Sequence, residues 1–151
     1  MRAWGEDFDA LPAHVTKGYV RTGDFVMAEK TIRPGQGMGK PLVERWDGKE
    51  YDQGFAGKEE KNGIIMGVVQ YSPIVPGWDT KDEKKSQIMT DVDIAISDKF
   101  IYVVCHGVVR SGALVQASSI EIKDANGNKY SEHGVIEATA DNLVIGRAVS
   151  F

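Results

Sequence analysis

One cysteine in 151 residues excludes any fold stapled by internal disulfides, and it suits a protein made in a reducing cytoplasm. Positive charge is also in short supply. Lysine and arginine number 18 against 22 aspartates and glutamates, for a formal net charge of −4, and no basic cluster interleaves with aromatics. Such a surface repels a phosphate backbone on average, so direct contact with nucleic acid is not expected. No apolar run reaches the roughly 18 to 20 residues that cross a bilayer, and no basic-then-apolar leader opens the chain, so neither a membrane partner nor export is expected. Long apolar periodicities of helical type are few. The three histidines, His14, His106 and His133, stand far apart with no zinc spacing among them.

What is present is the composition of an ordinary globular protein, 42% hydrophobic and 26% charged, in a chain long enough to bury a core in one domain. Seventeen glycines, many at turn-like positions, move the expectation toward sheet. Short strand-like runs recur at intervals of roughly 8 to 12 residues, the spacing of a sandwich or small barrel. The expected class is all-β, a small barrel or sandwich of short antiparallel strands with an extended N-terminal arm.

The arm is residues 1–13, "MRAWGEDFDALPA", where Trp4, Phe8 and Leu11 are loosely spaced and Gly5 and Pro12 interrupt any regular element. Residues 14–151 form the single β-rich domain. Within it, two short runs flank Thr22-Gly23-Asp24, and Asp47-Gly48 sits between β-formers, a strong hairpin signal. A strand from 64 to about 71 is entered through Asn62-Gly63. The segment 73–90, with a proline at each end of its first turn and a charge run, reads as an exposed loop with room for a surface helix at 81–89. The run "DVDIAIS" turns at Ser97-Asp98-Lys99 into "FIYVVCHGVV", a second hairpin. Further strands are expected near 114, 120–122, 135–138 and 143–151, with turns at Asn126-Gly127 and Asp141-Asn142.

The run at 100–109 sets Cys105 directly beside His106. A thiol nucleophile needs a base within hydrogen-bond reach, yet consecutive side chains of a strand leave on opposite faces. Alternation puts Cys105 with Ile101, Val103 and Val109, as a small buried hydrophobe, and His106 with Phe100, Tyr102, Val104 and Val108. Adjacency therefore argues against catalysis here. "PGQGMGKP" fails as a phosphate loop, since Pro34 and Pro41 occupy the positions of the first glycine and the magnesium-holding hydroxyl. "DANGNKYSEHGV" starts with the oxygen spacing of a calcium loop, but Lys129 and Val135 stand where glycine and glutamate are required. It reads as a hairpin turn. Asp79, Asp82, Glu83, Asp91 and Asp93 read as solvated surface. With no Gly-x-Ser-x-Gly elbow and no His-Glu-x-x-His, neither enzyme activity, nor metal, nor cofactor is expected.

The order "PLVERWDG", then "NGIIMGVVQ", then the paired runs "VDIAIS" and "FIYVVCHGVV", closing on "ADNLVIGRAVSF", resembles the small capsid decoration, or cement, proteins of tailed bacteriophages. The resemblance covers about residues 40 to 110 and 135 to 151. It implies a non-enzymatic virion protein, made in the host cytoplasm and bound to the outer surface of the head. There it would clamp neighbouring copies of the major capsid protein. It also implies a homo-oligomer, a trimer or in some members a dimer. On this reading Trp4, Phe8 and Leu11 of the arm are the capsid-binding anchors. The oligomer interface is expected at Tyr102, Val104 and His106 on the second face of the 100–109 run and at Ile145 and Phe151 of the terminal strand. Two other readings compete. A head-fibre or adhesin-like β-domain would stack sugars on Trp46, Trp78, Tyr51 and Tyr71; an enzyme would use Cys105 or a carboxylate pair.

Overall fold

The computed structural model describes residues 10–17, 20–28, 39–54, 63–71, 90–95, 100–123 and 125–150. Strands β1 (Ala10–Lys17), β2 (Phe25–Ala28), β3 (Leu42–Arg45), β4 (Ile65–Tyr71) and β5 (Thr90–Ala95) close into a barrel in the order β1-β3-β2-β4-β5. Strands β6 (Leu114–Lys123), β7 (Lys129–Glu137) and β8 (Val144–Arg147) form a three-stranded sheet in the order β7-β6-β8. Among the described residues there is no α-helix, and a single 3-10 turn, Asp141–Leu143, leads into β8. The protein is all-β.

One pairing departs from the antiparallel expectation: β1 and β3 run parallel. The reason is topological. Directions around a closed ring of five strands cannot alternate throughout, so at least one neighbouring pair must be parallel. Register shifts in β1, β2 and β4 supply the local bends that closing so small a barrel requires. Pro12 lies in β1 before its pairing with β3 begins at His14, where a missing N–H costs that ladder nothing.

Alternation along the strands builds two cores. Ala13, Val15, Val20, Val26, Val43, Val69, Val92 and Ile94 fill the barrel with small aliphatic groups. Phe25, Met27 and Val68, next in the chain to Val26 and Val69, face the other way and join Trp46, just after β3, with Val115 and Val135 in a second core against the three-stranded sheet. Strand β2 is thus buried on both faces, as is β4 at Val68 and Val69. Gly63 enters β4 at φ +84, and a Cβ there would lie 2.2 Å from the Tyr51 ring, so the predicted turn has room for glycine alone.

Several expectations need correction. Residues 10–13 of the expected arm are barrel wall: Leu11 pairs with Ile94 and Ala13 is fully buried. Trp4 and Phe8 lie outside the described residues, as do the 81–89 helix, Trp78 and Phe151. Asp47-Gly48 is a turn but not a hairpin. After it the chain crosses to the sheet, where the Gln53 amide donates to the Asn142 carbonyl (2.7 Å) and Gln116 to the Glu50 carboxylate (3.3 Å). Nor does β5 form a hairpin with 100–109; it pairs with β1 and β4. The turn at Asn126-Gly127 is as expected, with β6 one continuous ten-residue strand rather than two.

Candidate functional site

Residues 100–110 run as an extended ribbon beside the three-stranded sheet, outside any named strand. Alternation holds from Phe100 to Val104 and again at Val108 and Val109, and breaks at Cys105-His106-Gly107, where the cysteine is exposed and the imidazole is covered. Ile101, Val103 and Val109 pack on the second core. Phe100, Tyr102, Val104 and Val108 point away and are 71%, 81%, 47% and 90% exposed. With about 150–250 Å² on each large aromatic, this stripe presents roughly 500 Å² of apolar surface, near the upper end of what a monomer displays. These four side chains of the second face are therefore on the surface.

The ribbon is fastened to the edge of β7. The His106 amide donates to the Val135 carbonyl (2.9 Å) and the Val135 amide to the Val104 carbonyl (2.8 Å), making a parallel bridge centred on Cys105. The His106 side chain, 5% exposed, folds back over the sheet. Its Nε2 lies 3.1 Å from Glu132 Oε1 and its Nδ1 3.0 Å from Ser118 Oγ. A carboxylate only accepts, so Nε2 donates to Glu132, while the serine hydroxyl can either donate to Nδ1 or accept from it. The ring fits because residue 134 is glycine: a Cβ there would come within 2.7 Å of Nε2 and 2.6 Å of the Val104 carbonyl. At the far end Arg110 makes a two-pronged ion pair with Glu137 (2.8 and 3.0 Å), and its amide adds a third bond at 2.9 Å. These bonds hold the Glu137 carboxyl below its ordinary range.

Two residues of the expected interface are thereby reassigned. His106 is enclosed between Ser118, Glu132 and Gly134, so it positions the ribbon instead of meeting a partner. Ile145 is half-buried against the second core. Tyr102 and Val104 are where the expectation placed them, on the outward face. Cys105 is exposed, not the buried hydrophobe expected, because the ribbon is a sheet edge and not an enclosed strand. The clamp itself was overlooked. A signal existed, since a turn centred at residue 126 makes Ser118 face Gly134 and Ile120 face Glu132, putting all four on one face.

A second polar cluster lies at the seam between barrel and sheet. Asp24, buried, accepts from Arg45 Nε and from the Arg21 amide (both 2.9 Å), and Arg45 Nη2 also donates to the Ser131 carbonyl of β7. His133 is wholly enclosed between the rings of Phe25 and Trp46, with centroids at 5.8 and 5.1 Å. Its Nδ1 accepts from the Phe25 amide (2.9 Å), and its Nε2 has no hydrogen-bond partner among the described residues. Burial, then the nearby Arg45 cation, push its pKa down to about 4. Arg21 stacks over Tyr130 at 4.2 Å and closes the seam from outside.

Trp46 is core, with Nε1 donating to the Lys49 carbonyl (2.9 Å), and is no sugar platform. Beside it is a shallow open dimple of about 10 Å³, lined by Lys49, Glu50, Tyr51, Gln53 and Leu143 among others. Small-molecule sites are larger, roughly 300–1,000 Å³. Tyr51 donates to Asp47 (2.5 Å), which pushes its pKa up to about 12. No group of three or more metal-ligating side chains occurs among the described residues. No protein-family model, curated protein or solved structure matches the chain.

Proposed function

We propose that this is a non-catalytic structural protein of a phage virion that binds the outside of the head and holds neighbouring major capsid subunits together. The observation that carries the reading is the outward stripe of Phe100, Tyr102, Val104 and Val108, held by a buried histidine clamp and a terminal ion pair. A soluble monomer gains nothing from fastening apolar side chains into water; a contact surface gains preorganisation. The chain's acidic charge and the short motifs that resemble cement proteins agree with the same reading. On this account Trp4 and Phe8, preceding β1, reach the shell, with Leu11 at the barrel wall where they leave it. Many weak contacts then sum by avidity in a homo-oligomer, trimer or dimer.

The test is co-sedimentation with undecorated capsids. Removing residues 1–9, which leaves β1 whole, should abolish shell binding while the far-UV spectrum stays that of the full chain. Unchanged occupancy would take the leader out of the mechanism, and no binding by the full chain would end the capsid reading.

A further inference from the structure

The ribbon does more than display side chains; at Cys105 its backbone is an open sheet edge among the described residues. In an extended chain successive peptide groups point to opposite sides. The Val104 carbonyl and the His106 amide face β7 and are bonded to Val135. The Cys105 N–H and C=O between them therefore face away from β7, and neither has a partner among the described residues. Natural edges are blunted by lysine, proline or a covering loop. From Phe100 to Val109 this edge carries no charged residue and no proline, in a chain that is 26% charged.

We infer that the ribbon is the two-fold contact between two copies of this chain, which pair antiparallel about Cys105. A residue on the dyad of an antiparallel pair exchanges both of its backbone bonds with its own counterpart, which satisfies the two groups left open. The dyad then brings Tyr102, before the pair, to the same end of the contact as Val108 of the partner subunit, beyond the bend at Gly107, and these are the two most exposed apolar side chains on the ribbon. The three-stranded sheets of both copies become one, running from β8 through β6, β7 and the ribbon and out the other side. Charge selects the occupant. Each copy carries a net −4, so two copies approach most cheaply where neither bears charge, and the 100–109 run is such a place. Gly107, at φ +105, turns the chain away after the pair, so the ladder is short and the dimer weak, with dissociation in the micromolar range, about −8 kcal/mol. The inference rests on the reading of the ribbon as a contact surface and selects the dimer among the oligomers that reading allows.

Cys105, exposed and alone in the chain, is a native reporter. A hydrogen-bonded antiparallel pair has its Cα atoms about 5.5 Å apart, within disulfide range. Under copper–phenanthroline and air, two thiols lose two protons and two electrons to dioxygen and one S–S bond forms. The expected result is a mass twice that of the chain at about 50 µM by light scattering, with rapid capture as a covalent dimer. Tyr102→Lys and Val108→Lys alter side chains that are almost wholly in solvent, so both should fold. Each should weaken dimerisation about tenfold or more and slow cross-linking in step. A wild-type chain that is monomeric at that concentration, an oligomer whose Cys105 does not cross-link, or lysine variants that cross-link like the wild type would overturn the dyad. Capsid binding by a monomer removes the dyad alone; a cross-linked dimer that ignores capsids removes the decoration reading alone.

Discussion

The barrel and the three-stranded sheet solve the problem of sheet edges in opposite ways. Five strands closed on themselves leave no edge, and the buried apolar cluster inside them is alanine, valine and isoleucine. The sheet stays open, and its core takes Phe25, Met27 and Trp46 from the back of the barrel, with His133 enclosed among them. Its β7 edge is covered by an irregular ribbon whose Cys105 N–H and C=O, on the outer side, have no partner among the described residues. A barrel of this size is complete in itself, whereas a three-stranded sheet needs the barrel on one face and something further at its rim.

If this division is real, the largest loss should come from the joint between the two regions. Trp46→Ala should cost about 3–5 kcal/mol, measured by urea unfolding, because it empties the second core and frees the Lys49 carbonyl. A smaller cost than for Val26→Ala inside the barrel would show that the two regions are only loosely joined.

Acid should act on the same joint. His133 is held neutral when folded, with a pKa of about 4, whereas the unfolded chain takes up the proton near 6.5. The stabilisation is therefore complete above about pH 6.5 and declines as pH falls toward 4, at about 1.4 kcal/mol per pH unit, a total on the order of 3 kcal/mol. The protonated ring would present an N–H to the Phe25 N–H, two donors face to face. His133→Gln keeps an acceptor and does not titrate, so its urea midpoint should vary less between pH 7 and 4. Equal slopes in both proteins would refute this assignment.

The ribbon should loosen without the barrel. His106→Ala removes two buried hydrogen bonds and is expected to cost about 2 kcal/mol. Amide exchange should speed up at Val135 and residue 106, while the Val69 amide, bonded to the Asp24 carbonyl between β2 and β4, keeps its protection. Uniform acceleration across both regions would mean that they unfold as one. The smallest effect belongs to Glu137→Gln. Arg110 is 80% exposed, so the loss of this ion pair should leave the unfolding midpoint unchanged in 0.5 M salt.

The class was legible because turns announce themselves locally: Gly63 opens β4, Asn126-Gly127 closes the β6–β7 hairpin, and Asp141-Asn142 starts the 3-10 turn before β8. Partners of strands were much less so. The run "FIYVVCHGVV" looks doubly apolar, and in a sequence an enclosed strand and an exposed sticky edge have the same letters. Choosing the first put Cys105 in the interior and His106 at an interface, and both were reversed by the single bridge to Val135. Trp46, an aromatic in a turn-like setting, could have been core or platform, and its fate depended on a sheet that begins almost seventy residues later in the chain.

The order of amino acids by itself determined the period-two alternation, the positions of glycine turns and the scarcity of charge from 100 to 109, since each depends on neighbours a few residues apart. Tertiary structure alone decided that β1 and β3 run parallel, that His106 is locked between Ser118 and Glu132, and that one side of the ribbon is left in water. Those outcomes depend on which distant backbone groups satisfy one another when a five-membered ring closes, and no local pattern encodes that choice.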